Sequence, residues 1–177
     1  MRMENLNEAR IYVGTYEKYN NGSLFGKWLD LSDYADKEEF MIACKDLHSN
    51  EPDPEFMFQD WENVPDSLIC ESWLSEHFFP LRSALEELSD TEQEAFMVWC
   101  NNSSHDLDTE NCSDLIESFR DEYYGEFDSE EDFACQLIED CYNLPEFALT
   151  YFDYGKFARD LFIGDYWYDA GFVFRCA

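Results

Sequence analysis

Five acids in the stretch DLDTENCSDLIE (106–117) fall at the spacing of a calcium-binding loop. Counted from Asp106, carboxylates occupy positions 1, 3, 5, 9 and 12, as Asp106, Asp108, Glu110, Asp114 and Glu117. An EF-hand needs those oxygens around one cation and a glycine at position 6 for the sharp turn. Position 6 here is Asn111, and position 8, where an apolar residue pairs two loops, is Ser113. The end spacing recurs from Asp128 to Glu139, but with Phe133 at position 6, which defeats it. In a chain with 41 acids such matches arise by chance, so calcium binding through Asp106–Glu117 stands only as the alternative reading.

Other chemistries have less support. A hydrolase built on two carboxyl groups needs one pair with separated pKa values in a cleft, and this sequence offers many acid pairs and marks none. His48, His77 and His105 are scattered, with no H-x-x-x-H and no Cys/His cluster, so no metal site is expected. NNGSLFG (20–26) lacks the Lys-Ser/Thr of a phosphate-binding loop and reads as a turn. The expectation is a protein without catalytic residues, metal or cofactor.

Charge is the dominant feature. The 177 residues hold 41 acids against 11 bases, for a net charge of −30. Such a chain repels phosphates, which argues against nucleic acid or an anionic membrane as a direct ligand. It is nonetheless 45% hydrophobic and 18% aromatic, too apolar for a disordered acidic tail. The N-terminal MRMENLNEAR has no apolar run, and no 18-residue apolar stretch follows, so neither a signal peptide nor a membrane span is expected. Seven cysteines, none in a C-x-x-C pair, lie mostly among apolar neighbours and read as buried, reduced thiols of a cytoplasmic protein.

The charge is unevenly placed. Nine bases lie in the first 45 and last 24 residues. Between Asp46 and Gly155 only Arg82 and Arg120 oppose 30 acids, a net −28. General solubility does not require that concentration, and adaptation to high salt would deplete bases throughout. Like charges at i, i+4 also cost a helix about 0.2–0.5 kcal/mol each.

The elements that must carry this charge can be read from periodicity and punctuation. RIYVGTY (10–16) and GSLFGKWLDL (22–31) read as strands joined by a turn at NNG, and PEFMFQDWE (54–62) as a third strand. Between them DKEEFMIACKDLHS (36–49) reads as a helix with Phe40, Ala43, Cys44 and Leu47 on one face. PDSLICESWLSEHF places Ile69, Trp73 and His77 at helical spacing, and Pro80 breaks or restarts that helix. A helix to Leu88 follows, then another from Thr91, with Ser89 and Glu92 as a capping box. The segment 101–104 reads as a linker. SDLIESFRDEYY and SEEDFACQLIEDCYN read as helices flanking a short YYGEF strand; EFALTYF reads as a strand, DYGKFARDLF as a helix and GFVFR as a strand. The fold class is α+β, divided as 1–65 (α+β), 66–104 (helical) and 105–177 (acidic, α+β).

On the first acidic helix Asp114, Glu117 and Asp121 share one face while Leu115 and Phe119 lie on another with Tyr123. On the next, Phe133, Leu137 and Cys141 form an apolar stripe, with Asp132 and Glu139 pointing elsewhere. These helices thus have polar faces that are almost purely anionic, unlike an ordinary surface of mixed sign. Duplex DNA carries one charge per about 1.7 Å of axis, so 28 charges match roughly 48 Å of duplex.

Two long runs carry a resemblance to a known family. IYVGTYEKYNNGSLFGKWLDL (11–31), followed by EEFMIACKDLH and EPDPEFMFQDWE, closely resembles the N-terminal region of the ArdA antirestriction proteins. FDYGKFARDLFIGDYWYDAGFVF (152–174) resembles their C-terminal end, and the acidic middle shares the family's charge character. The resemblance implies an elongated, curved, three-part DNA mimic, carried on mobile elements. It implies a homodimer that occupies the DNA-binding channel of type I restriction–modification enzymes, at the methyltransferase core, with no cofactor and no catalytic residue.

On that implication the partner-binding surface comprises Asp60, Glu62, Asp66, Glu71, Glu76, Glu86, Glu87, Asp90, Glu92 and Glu94 in the first part of the acidic section. It continues through Asp106, Asp108, Glu110, Asp114, Glu117, Asp121, Glu122, Glu126, Asp128, Glu130, Glu131 and Asp132. Tyr123, Tyr124 and Phe127, large aromatics framed by acids, are the expected dimer contact; the competing reading packs them inside their own subdomain.

Overall fold

A computed structural model describes residues 5–103, 105–142 and 144–176. Its described elements are helices and small antiparallel sheets, a mixed α+β architecture. The chain forms two compact units, 1–116 and 117–177.

The first unit is built on a three-stranded sheet. Strand β1 (Arg10–Thr15) is central, between β2 (Lys27–Asp30) and β3 (Phe56–Glu62), and both pairings are antiparallel. Alternation puts Ile11 and Val13 inward, each fully buried. The connection from β1 to β2 is longer than the tight turn expected. Thr15 ends the strand and caps a five-residue helix α1 (Tyr16–Asn20), its hydroxyl accepting from the Lys18 amide at 3.3 Å. The expected turn lies beyond that helix, where Gly22 takes φ +79°, a conformation glycine adopts without a Cβ clash.

Helix α2 (Lys37–Leu47) begins where the sequence places it, because Asp36 accepts from the Glu39 amide at 2.9 Å. Phe40 and Cys44 form its fully buried edge, and Phe40 meets Phe58 of β3 at 6.0 Å between ring centroids. Removing one such side chain from water contributes about 1.5–3 kcal/mol. Ala43 and Leu47, on the same predicted face, are half-buried.

The helix expected over the stretch with Ile69, Trp73 and His77 is absent. Strands β4 (Ile69–Cys70) and β5 (Trp73–Leu74) pair there as a small hairpin. Ile69 faces Leu74 across it and both are buried, so burial on one sheet face outweighed the coincidental helical spacing. The Phe58 amide donates to the Glu71 carbonyl at 2.7 Å, which a helix could not have offered.

Pro80 does not break helix α3 (Phe78–Leu85) but sits in its first turn, where a missing N–H costs nothing. Arg82 of α3 is buried and donates to the carbonyls of Leu31 and, at 2.8 Å, Tyr34. Helix α4 (Asp90–Asn102) carries the expected capping box between Ser89 and Glu92. It runs into the expected linker, taking in Asn101 and Asn102; Ser104 lies outside the described residues.

Helix α5 (Cys112–Glu122) crosses the boundary between the units. In the second unit β6 (Tyr123–Glu126) lies at one edge of a sheet ordered β6–β8–β7, with β7 (Tyr166–Asp169) and β8 (Phe172–Arg175) completing it. The pairing of β6 with β8 slips between Tyr123 and Gly125, whose φ of +147° bends the edge strand. Between β6 and β7 come α6 (Glu130–Cys141), α7 (Glu146–Thr150) and α8 (Tyr154–Leu161). Thus EFALTYF starts as a short helix rather than a strand, following Pro145, whose fixed φ suits a helix start. Strand β7 has no counterpart in the sequence reading, because Tyr166, Trp167 and Tyr168 are all half-buried and show no alternation.

Candidate partner-binding surface

The two acidic helices divide their faces as an amphipathic design requires. On α5, Leu115, Ile116 and Phe119 are buried, while Asp114, Glu117 and Asp121 are exposed. On α6 the buried edge is Phe133, Ala134 and Ile138. The predicted stripe of Phe133, Leu137 and Cys141 is therefore displaced by one position. Leu137 is half-buried and Cys141 exposed, because α6 packs about Ala134 and Ile138 instead. Glu130, Glu131 and Asp132 stand exposed in its first turn, where the helix macrodipole favours negative charge.

Each of the other nominated acids also reaches the surface to some degree. Asp60, Asp66, Glu71, Glu76, Glu86, Glu87, Asp90, Glu94, Asp106, Glu126 and Asp128 are exposed. Glu62, Glu92, Asp108, Glu110 and Glu122 are half-buried.

Several of these acids have work inside the fold that the sequence does not reveal. Glu62 pairs with Arg10 at 2.8 Å, and Glu76 with Lys37 at 2.5 Å. Glu92 closes its capping box, and Asp132 accepts from the Ser129 hydroxyl at 2.6 Å. Asp66 accepts from the Trp61 indole at 3.4 Å. Acids that the fold ties to particular partners are thus scattered along the chain.

The calcium-loop stretch illustrates this. Asp106 accepts from the Asp108 amide at 3.0 Å, and Asp108 accepts from the Ser75 hydroxyl. Glu110 accepts from the Asp106 amide at 2.6 Å and pairs with the His105 imidazole at 2.8 Å. Those bonds, the Asp106 amide first and His105 next, hold its carboxyl below the ordinary range. Asn111 caps α5 through the Ser113 amide, and Asp114 and Glu117 already belong to that helix. The five carboxylates therefore serve separate donors and elements. Among the described residues no three His, Cys, Asp or Glu side chains converge as metal ligands would.

Tyr123, Tyr124 and Phe127 enter the aromatic packing of the second unit. Tyr123 stacks on Phe119 at 5.0 Å, Phe127 meets Phe133 at 5.1 Å, and Tyr124 meets Phe133 at 5.2 Å and Tyr166 at 5.5 Å. Tyr123 and Phe127 are half-buried, while Tyr124 remains 49% exposed. Beside them Glu126, Asp128, Asp132 and Glu139 line an open cavity of about 590 Å³ with Phe127, Cys135 and Gln136. The Cys135 thiol is held up by burial and then by the charges of Glu131, Asp132 and Glu139.

All seven cysteines are free thiols, but only Cys44 and Cys100 are buried, which corrects the expectation for the others. Cys112 and Cys135 are half-buried, and Cys70, Cys141 and Cys176 are exposed. Burial pushes the Cys44 thiol up to about 12.

One polar cluster, in the first unit, has no signature in the sequence. The Lys18 ammonium meets Glu51 at 2.5 Å, His48 Nδ1 at 2.8 Å and Asn50 at 3.1 Å, so all three of its protons are used. Thr15 donates its hydroxyl proton to Glu51 at 2.9 Å, and His48 Nε2 lies 3.2 Å from the Val13 carbonyl. Burial raises the Glu51 carboxyl, but its bonds to Lys18 and Thr15 outweigh that and leave it below the ordinary range.

What fold and surface define is the class of acidic α+β protein whose helices present carboxylates outward from an apolar core. The family model described as "Antirestriction protein (ArdA)" matches residues 11–174, and the chain belongs to the ArdA antirestriction family. No individual curated protein matches the chain significantly. Membership carries antirestriction, and with it interaction with restriction–modification enzymes, as the protein's role. Among the described residues no helix is long and apolar enough to cross a membrane.

Proposed function

We propose that the protein inhibits type I restriction–modification enzymes as a DNA mimic, competing with DNA for the channel at the methyltransferase core. The observation that carries this reading is the division of α5 and α6. Their inward faces are apolar and buried, while Asp114, Glu117, Asp121, Glu130 and Glu131 face water. A face built that way costs helix stability, and a basic channel recovers the cost on binding. A strongly negative body is steered to such a channel, with association faster by about 10–10³-fold at low salt. The protein acts by occupancy, without turnover, metal or cofactor.

The proposal includes a three-part body at 1–65, 66–104 and 105–177, carried on mobile elements and acting in the cytoplasm. It also includes a homodimer whose contact uses Tyr124, supported by the exposure of that ring on the edge strand β6. Two copies would supply charge for roughly 100 Å of duplex. Because two such anions repel, dimerisation should strengthen as salt screens them, and light scattering across a salt series measures this. A monomer at every salt and micromolar concentration refutes the dimer, whereas a dimer untouched by Tyr124→Asp moves the interface elsewhere.

The inhibitory function is tested by titrating the protein into a type I methyltransferase bound to labelled DNA. Displacement at micromolar excess, weakening as salt rises, is expected. DNA that stays bound throughout the titration removes the mimic reading.

A further inference from the structure

We propose that His48 is a pH-gated latch that holds residues 17–25 of the β1–β2 connection against the C-terminal end of α2. The neutral ring is required by its surroundings. Lys18 donates to Nδ1 at 2.8 Å, so Nδ1 carries no proton, and the ring proton resides on Nε2, 3.2 Å from the Val13 carbonyl. The ring is fully buried, with Phe25 edge-on at 5.8 Å and Phe56 at 6.3 Å. Lys18 also lies 5.1 Å from the Phe25 ring centroid.

The charged groups facing His48 are Lys18 from α1 and Glu51 from the turn after α2. Strand β1 offers the Val13 carbonyl and the Thr15 hydroxyl, and β3 and the 21–26 loop offer only the apolar rings of Phe56 and Phe25. A proton added at Nδ1 would remove the Lys18 bond and set two cations against the single Glu51 carboxylate. Burial, and with it the Lys18 charge, lower the His48 pKa, outweighing the Val13 hydrogen bond and the Glu51 charge that raise it. Meanwhile Glu51 Oε2 is buried with no hydrogen-bond partner among the described residues, a spare acceptor within the cluster. Rearrangement on protonation therefore has somewhere to go without unfolding the sheet.

Tyr16, the first residue of the connection, is tied separately, its amide donating to the Glu55 carbonyl at 3.0 Å, and it is the segment beyond it that depends on this cluster. Among the described residues, the other hydrogen bonds of residues 17–25 are local, save the Tyr12 hydroxyl donating to the Leu24 carbonyl at 3.1 Å. Leu24 and Phe25 are 70% and 52% exposed, so little apolar burial retains the loop when repulsion from a protonated His48 draws Lys18 away from Glu51 and Asn50. Because the folded-state pKa is depressed, the latch is fully closed above the ordinary histidine value of about 6.5 and is lost as pH falls toward the folded value.

The test uses the full chain, labelled with ¹⁵N. Imidazole spectra at pH 7.5 should show His48 protonated at Nε2 alone, and its titration midpoint should fall below that of an exposed histidine. Across that midpoint, amide-exchange protection at residues 18–26, corrected for intrinsic chemistry, should drop at least tenfold while the β1 amides stay protected. His48→Asn, which titrates nowhere in this range, should abolish that pH dependence. The proposal is overturned by a His48 that titrates at or above the ordinary value, or by loop protection that does not change as it titrates. The wild-type titration alone decides the matter if the variant does not fold.

Discussion

The Lys18–Glu51 cluster and the outer faces of α5 and α6 put the same side-chain chemistry to opposite uses. Glu51 is 8% exposed, accepts a hydrogen bond from the Thr15 hydroxyl and sits 2.5 Å from a lysine whose other protons are also committed. Glu117 and Asp121 of α5 project into water from a helix whose other side is Phe119. Arg10, Lys18 and Lys37, three cations of the first 45 residues, are each held by one particular carboxylate. The comparison separates charge the fold consumes from charge left for a partner, a distinction that net charge alone cannot draw.

If that separation is right, the largest loss of stability should come from the consumed charge. Lys18→Met leaves Glu51 buried without its cation and should cost about 3–5 kcal/mol, read as a lower urea midpoint. A change under 1 kcal/mol would place Glu51 in effective contact with water and erase the contrast.

Neutralising Asp114, Glu117, Asp121, Glu130 and Glu131 together should do the reverse. Stability should hold or rise as self-repulsion falls. Affinity for the methyltransferase should drop by about 0.2–1 kcal/mol per charge, since each exposed pair is worth that little alone. Unchanged inhibition in this five-site variant would move the binding surface off these two helices.

Ser89→Ala tests an acid of intermediate standing. Glu92 is half-buried and closes the capping box at the start of α4. Loss of the Ser89 hydroxyl should cost about 1 kcal/mol in thermal or urea unfolding, with inhibition intact. The smallest effects belong to single exposed acids. Glu117→Gln or Asp128→Asn should change both stability and inhibition by no more than about 0.5 kcal/mol. One such change that abolished inhibition in a folded protein would replace a distributed surface with a discrete site.

Much of the architecture was legible because it depends on local rules. Asp36 and Ser89 cap helices at the positions their neighbours demand, and the alternation of Ile11 and Val13 marks a strand with one buried face. The misreadings share a cause. Ile69 and Trp73 lie four apart, a helical spacing that a hairpin can present by accident. The aromatics of β7 are half-buried throughout and give no period, so only their pairing with β8 defines the strand.

The sequence by itself determined that the chain folds, that it carries a large negative charge concentrated between Asp46 and Gly155, and which family it resembles. Those properties are sums or local patterns, and a sum survives any arrangement of the chain. Tertiary structure alone decided which carboxylates are spent. Glu51 meets Thr15 across 36 positions, and Glu62 meets Arg10 across 52. Pairing at that separation is set by which strands and helices pack together, and no spacing rule along the chain encodes it. His48 likewise looked like a scattered histidine until β1, α1 and the end of α2 closed around its ring.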